Sequence, residues 1–345
     1  MFTIRQLDPA DDAMARQWDD FVFACPAATF FHRSAWQDII REVFRHRTYF
    51  LYAEDETGIR GVLPLAHVNS RLFGNALVAM PFAVYGGIAT CDDECSNLLE
   101  NAAQQLAARL NVEHLEFRNT IQRHADWPTQ DLYVTFRKEI LPVVEDNMLA
   151  IPRKQRAMVR KGIKNGLLST VDRNTDRFFA LYADNVHRHG TPAFPKRYFD
   201  TLLKVFGDDC EVLTIIGPEG QLLSSVLSFY FRDEVLPYYA GDDESARHLA
   251  ANDFKYWELM RRACERGLKV FDYGRSKRGT GSFAFKKNWG FEPQPLHYEY
   301  CLYKRDSIPQ NNPANAKYRL FIEAWRRMPI GVANWLGPHI VRNLG

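Results

Sequence analysis

The sequence predicts a mixed α/β chain in which one domain plan is used twice. Three observations predict it. The chain has 345 residues, more than a single hydrophobic core of ordinary size encloses. Its composition, 46% hydrophobic and 25% charged, is that of a globular protein. Finally, "FHRSAWQDIIREVF" from Phe31 lies over "FPKRYFDTLLKVF" from Phe194 so that Trp36 meets Phe199, Ile39 meets Leu202 and Ile40 meets Leu203. Copies about 160 residues apart fit a duplicated domain, since solenoid units recur every ~20 to 50 residues.

Taken in order, each copy opens on an amphipathic helix, at 31–44 and 194–206, with apolar residues at the helical period. An apolar strand follows in each, at 48–53 and 211–216, then a turn at Gly58 or Gly220. Two more strands come next, at 61–68 and 77–80 in the first copy and at 222–231 and 235–240 in the second. A helix and a last strand close each copy: 96–110 with "VEHLEFRN", and 246–266 with "LKVFDYGRS". Between the copies, Arg153, Arg156, Arg160 and Lys164 share one helical face, with Lys154 and Lys161 beside them. A solvated basic face and a rim for phosphate or another polyanion both fit that pattern. The predicted boundaries are 1–145, 146–305 and a C-terminal tail 306–345.

The charge balance of 44 basic against 42 acidic residues excludes a strongly cationic nucleic-acid binder, so any anion site is local. Six scattered cysteines show no disulfide framework, which predicts a reducing compartment. The start "MFTIRQLDPADD" lacks the pattern of a secretory signal, and a cytoplasmic protein is expected. The uncharged run from Leu72 to Cys91 contains Pro81 and the Gly86-Gly87 pair, so a buried strand and loop fit it better than a membrane span. Cys91 with Cys95, and His187 with His189, lack zinc-ligand spacing, and no metal is expected.

The densest chemistry lies in "FDYGRSKRGTGSFAFKKNWG", where Arg275, Lys277, Arg278, Lys286 and Lys287 gather around a glycine-rich turn. Asp272 and Tyr273 end a strand there, the place where open α/β sheets bind ligands, and Arg275 can clamp a phosphate or carboxylate or pair with Asp272. On the following helix Phe285 and Trp289 stand four apart beside Lys286. Upstream, Tyr238 and Tyr239 share a strand, so one is expected to face the cleft and the other the core. The acidic turn Asp242, Asp243 and Glu244 offers either a base or a solvated surface. In "MPFAVYGG", Phe82 and Tyr85 present flat faces suited to an acceptor, with Arg71 at the mouth, or else they plug an interface.

The segments "GVLPLAHVNSRLFGNALVAMPFAVYGG" and "FDYGRSKRGTGSFAFKKNWGFEPQPLHYEY" resemble those of the FemAB-related proteins of the GNAT-like acyltransferase superfamily. The subgroup most resembled is the one associated with exosortase and PEP-CTERM systems. The resemblance implies two tandem GNAT-like domains, each a central mixed sheet flanked by helices, followed by a helical tail. It implies transfer of an aminoacyl or other acyl group to an amine on a sugar, peptide or lipid-linked acceptor, in cell-envelope or exopolysaccharide biosynthesis. It also implies that Phe285 and Lys286 match a catalytic Phe-Lys pair whose lysine stands near the developing negative charge. Arg275, Tyr273, Tyr239, Tyr85, Trp289, Arg71 and Arg247 are the expected substrate-binding residues.

Acyl-CoA users of the superfamily carry an Arg/Gln-x-x-Gly-x-Gly/Ala signature at a helix N-terminus. This chain reads "ARHLAAND", keeping Arg247 but placing Ala250 and Asn252 where glycine and a small residue would sit. The departure disfavours coenzyme A and favours a different acyl carrier without identifying it; the resemblance implies aminoacyl-tRNA as the expected donor, ahead of acyl-CoA. An acetyl-CoA-dependent N-acetyltransferase acting on an amino sugar, and a non-catalytic scaffold of an export complex, remain the alternatives. In the tail, Phe321, Trp325 and Trp335 stand among Lys317, Arg319, Arg326, Arg327 and Arg342, with Pro329 and Pro338 expected to interrupt any helix. Contact with an anionic inner membrane and docking on the protein's own body both suit that composition.

Overall fold

The computed structural model describes residues 1–70, 73–309 and 316–343. Two compact units result: Met1–Tyr133 joined by a segment that begins at Pro295, and Val134–Gln294 joined by the C-terminal helices.

In the first unit the order is β1 (Thr3–Gln6), α1 (Asp12–Ala24), α2 (Trp36–Ile39), β2 (Arg47–Asp55), β3 (Gly58–Ser70), β4 (Gly74–Ala79), β5 (Ala89–Thr90), α3 (Asp93–Arg109), β6 (His114–Asn119) and β7 (Thr129–Gln130). Asp11 caps α1 by accepting from the Met14 amide, and Asp92 caps α3 by accepting from the Cys95 amide. The helix predicted over 31–44 is straight only at α2, and winds into a π-helix over Ile40–Phe44. Leu63, Leu65 and Leu77 of the sheet close the core against Leu99, Ala103 and Leu106 of α3.

The second unit runs β8 (Tyr133–Glu139), α4 (Val144–Ala150), α5 (Arg153–Lys164), β9 (Leu168–Asp172), α6 (Asp176–Arg188), α7 (Lys196–Phe206), β10 (Cys210–Ile216), β11 (Leu222–Phe231), β12 (Glu234–Asp242), α8 (Ala246–Leu249), α9 (Ala251–Glu265), β13 (Val270–Asp272), β14 (Ser276–Lys277), α10 (Gly281–Asn288) and β15 (Pro293–Pro295). Leu213 of β10 and Val226 of β11 pack in one core with Leu259, Met260 and Ala263 of α9. On β12, Tyr239 instead meets Tyr182 of α6 and Phe199 of α7. The sheet is thus covered by α9 and its neighbours on one face and by α6 and α7 on the other.

After β15 the chain supplies β16 (His297–Leu302) to the first sheet, then α11 (Ala316–Arg327) and α12 (Ile330–Val341) to the second unit. The strand orders β1-β2-β3-β4-β6-β16 and β9-β10-β11-β12-β13-β8 correspond position by position. In each, one parallel pair, β4 with β6 or β12 with β13, sits among antiparallel neighbours. This is the predicted duplication, with one difference. The sixth strand is exchanged: β8, which follows the first copy in sequence, pairs with β13, and β16 pairs with β6. The expected boundaries at 145 and 305 are corrected accordingly, because strand pairing and not chain order decides which sheet a segment completes.

The run 73–91 forms β4, an irregular loop and β5. Among the described residues no helix is long and apolar enough to cross a membrane. Pro338 lies inside α12 and does not interrupt it. Ala333 and Gly337 are buried on α12, and a side-chain carbon at Gly337 would lie 2.9 Å from the Ala193 carbonyl oxygen. Own-body docking thus accounts for that face, while Val332 and Trp335 remain exposed.

Candidate functional site

The parallel pair of the second sheet holds for only two residue pairs, Glu234 with Val270 and Val235 with Phe271. Beyond them β12 and β13 share no further register, which leaves a fork at the carboxyl ends of two parallel strands, where ligands bind in α/β sheets. A bulge in β12 opposite Leu227 and Ser228 places Tyr238 and Tyr239 edge to face, 4.8 Å between ring centroids. The strict alternation expected of these two tyrosines is lost. Tyr239 joins the cluster on α6 and α7, its hydroxyl 3.0 Å from that of Tyr198, so it packs on the face opposite Tyr273 and α10.

The turn after β13 is pinned from two sides. Asp272 is wholly buried, takes the Gly274 amide at 2.7 Å and a guanidinium proton of Arg137 at 2.8 Å. Gly274 sits at φ 63°, which favours glycine. From the other side Lys286, 8% exposed, donates from Nζ to the carbonyl oxygens of Tyr273 at 2.7 Å, Gly274 at 3.1 Å and Arg275 at 3.2 Å. Its ammonium has three protons, and all three are committed to these carbonyls. The rings of Phe136 and Tyr273 stand 5.6 and 5.7 Å from Nζ. Burial pushes the Lys286 pKa down to about 7, Asp272 opposing that shift and Arg275 adding to it.

Lys286 therefore holds a backbone turn, whereas the sequence reading expected its ammonium to face a reacting oxygen. Lys287, its nearest rival, is exposed. The low pKa has a measurable sign. Between about pH 7 and the ordinary lysine value of 10.5, the unfolded chain binds more protons at this position than the folded one. Stability contributed here rises with pH across that window, by up to ~1.4 kcal/mol per unit, and is flat below it. Urea melts across the window are expected to show this rise in the wild-type chain and its absence in Lys286→Met.

Around the turn stands an aromatic group. Tyr256 of α9 lies 4.8 Å from Tyr273 and 5.6 Å from Phe285, which is half-buried. Trp289 is 0% exposed and donates Nε1–H to Asp253 at 2.9 Å, so it supports the group from the core; its expected contact with substrate is corrected. The hydroxyl of Tyr273 and that of Ser276 are buried and, among the described residues, have no hydrogen-bond partner. Arg275 and Arg247 are exposed.

At the start of α9, Ala250 adopts the left-handed conformation, φ 61°, and is buried. Burial raises the pKa of Asp253 in the first turn, offset by its bonds to Trp289 and to its own amide. Lys255, also fully buried, donates to Asp242 at 2.8 Å. Burial disfavours its charge, yet Asp242 and Tyr256 hold its pKa above the ordinary value. Asp242 is therefore an ion-pair partner, and Asp243 caps its own turn through Ser245.

The corresponding fork of the first sheet is filled. β4 and β6 pair through Val78 and Glu116, after which Gly86 takes the place beside Arg118 in an antiparallel bridge. Arg118 also donates to the carbonyls of Met80 and Ala83, and Tyr298 to that of Val84. Tyr85, 2% exposed, packs on Phe31, and Phe82 stacks on Phe44 at 3.9 Å. Tyr85 thus offers no open face to an acceptor, a second correction. Arg71 lies outside the described residues.

Tyr256, Asp253, Lys255 and Arg137 were not singled out from sequence. One signal was present: Lys255 stands between Phe254 and Trp257 on the apolar side of its helix, where an unpaired cation would be costly.

Comparison with known proteins bears on the fold. A family model described as an acetyltransferase (GNAT) domain matches residues 153–287. The fold is GNAT-like in both units. A structure of FemX aligns with a TM-score of 0.67 at 14% identity, covering 87% of this chain and 98% of that one. L-PGS from Bacillus licheniformis aligns with a TM-score of 0.56 at 12% identity, over 94% and 99% of the two chains. A tandem GNAT protein from the clavulanic acid biosynthesis pathway gives 0.52 at 13% identity, over 87% and 98%. No curated protein matches the chain in sequence. The GNAT-like match spans α5 to α10 and so contains the fork, Tyr256, Tyr273 and Lys286.

Proposed function

We propose that this chain is an acyltransferase that forms an amide between an aminoacyl or other activated acyl group and an amine. The acceptor belongs to cell-envelope or exopolysaccharide assembly, the setting implied by the resemblance to the exosortase-associated FemAB-related proteins. The observation that carries the reading is the fork beyond Val235 and Phe271, at whose floor Lys286 gathers three consecutive carbonyls of one turn. Such a turn is a rigid element, and acyl transfer depends on holding the amine and the carbonyl in fixed relation. Tyr256 and Phe285 give the site apolar walls, and the unpartnered hydroxyls of Tyr273 and Ser276 give it donors for a developing oxyanion. Lys286 is in this reading a positioning residue.

Aminoacyl-tRNA is the donor we propose ahead of coenzyme A thioesters. The departure from the acyl-CoA signature supports this choice, because Ala250 and Asn252 stand where glycine and a small residue would leave amides bare for pyrophosphate. Aminoacyl-tRNA at a hundredfold its Kd is expected to raise the unfolding free energy by ~2.7 kcal/mol, with coenzyme A giving no shift. Tyr273→Phe, which removes only a hydroxyl, should keep the wild-type melt and lose part of the ligand shift. No shift by either donor would overturn the proposal. A second reading, an acetyl-CoA-dependent N-acetyltransferase of amino sugars, is favoured by the description of the matching family model; a shift by coenzyme A alone would select it.

A further inference from the structure

Helix α5 carries Arg153, Lys154, Arg156, Arg160, Lys161 and Lys164 and no acidic residue. Among the described residues none of the six has an ion-pair partner; Arg156 donates only to the Leu149 carbonyl, at 3.3 Å. The opposite side of the helix is consumed by packing. Val159 and Gly162 are buried, and a side-chain carbon at Gly162 would lie 2.8 Å from Cβ of Phe254 on α9. The helix is thus seated by close backbone approach, with its cations held outward. Arg153, Arg156, Arg160, Lys161 and Lys164 line a shallow hollow of about 480 Å³ in which the one other lining residue is Ala157. Arg153, Arg160 and Lys164, at spacings of seven and four, run in one line over ~16 Å, the axial length of about five phosphates of a nucleic-acid strand.

We infer that α5 is a docking rail for the phosphodiester backbone of a single-stranded RNA segment. A helix that binds bilayers inserts an apolar face between the headgroups. Here Val159 and Gly162 of that face are spent on α9, Ile163 stands half exposed as an isolated apolar residue, and the hollow itself is lined by cations around a single alanine. The exposed apolar residues of α12, Val332 and Trp335, belong to a helix packed on α6, against the sheet face opposite α9. A bilayer taken up by α12 would therefore not lie on α5. The protein's near-neutral net charge, +2, leaves this helix as a local basic element on an otherwise balanced chain. The inference is independent of the acyl-transfer reading, since the RNA need carry no acyl group and binding is read without turnover.

The test uses the full chain and a labelled single-stranded RNA of roughly 20 nucleotides, titrated by fluorescence anisotropy between about 50 and 200 mM KCl. Engagement of four phosphates predicts a slope of log affinity against log salt of about −3. Arg153→Gln, Arg160→Gln and Lys164→Gln together are expected to reduce that slope by about 2 and to weaken binding more than ~10-fold at low salt. Lys204→Gln with Lys269→Gln, which removes two cations elsewhere, should leave both unchanged. Circular dichroism checks each fold, and Arg160→Gln alone, expected to lower the slope by ~0.7, serves should the triple variant misfold. RNA affinity that survives the triple substitution would overturn the inference. So would capture by phosphatidylglycerol vesicles, lost in the triple variant, from a chain that does not bind RNA.

Discussion

Lys286→Met is expected to reduce acyl transfer by about 100-fold or more, the scale of loss that follows from misplacing a reacting group by about 1 Å. It is also expected to destabilise the second unit by roughly 2–4 kcal/mol. The substitution preserves length and removes the ammonium, so the carbonyls of Tyr273, Gly274 and Arg275 all lose their donor at once. Each buried acceptor left unsatisfied costs about 1–3 kcal/mol, part of which is returned because no charge has to be buried. Gly274, at φ 63°, then has only the Asp272 carboxylate to keep it in place. Lys287→Met, one residue on and exposed, should change neither melt nor rate. Turnover and urea melts of the two variants side by side check the assignment. A Lys286→Met chain that transfers at the wild-type rate would remove the fork from consideration as the reaction site.

The second large effect concerns chain length. A chain ending after Gln294 is expected to lose the fold of the first unit, whereas one ending after Asp306 keeps it. The difference is β16. Its six residues pair with β6 from His114 to Asn119, and Glu299, wholly buried, accepts from the amides of Arg123 and His124 at 2.8 and 2.9 Å and from the Asn119 side chain. Tyr298 adds a bond at 2.7 Å to the Val84 carbonyl. At ~1 kcal/mol for each net hydrogen bond and ~1.5–3 for each buried large side chain, removing the strand costs about as much as a domain's whole stability of 5–15 kcal/mol. Hydrogen exchange reads the outcome: amides of β6 should lose protection in the shorter chain and keep it in the longer one. Protection of β6 in both would show that the exchanged strand is dispensable.

Much of this architecture is legible in the residues. Apolar periodicity at Phe199, Leu202 and Phe206 reports a helix directly, and the matched series at Trp36, Ile39 and Ile40 reports its duplicate, because both depend on neighbours within two turns. The position of Lys286 beside Phe285 and Trp289 on α10 is likewise local. What the residues do not reveal is pairing across long separations. Nothing within residues 297–302 says that they complete the first sheet, since any strand of similar pattern satisfies the same local rules. The burial of Tyr85 and Trp289 escapes for a related reason: an aromatic ring suits a pocket wall and a core equally, and only the packing partners, Phe31 for one and Asp253 for the other, decide. The bulge in β12 hides in the same way, shifting Tyr239 to the α6 and α7 face without any glycine to announce it.

The wedge of Gly86 beside Arg118 in the first sheet has a consequence for stoichiometry. Two copies of one plan would ordinarily offer two equivalent chambers, but here one copy has sealed its chamber with its own chain. On the proposed function, with the second fork as the donor site, one molecule of donor is expected to saturate each polypeptide.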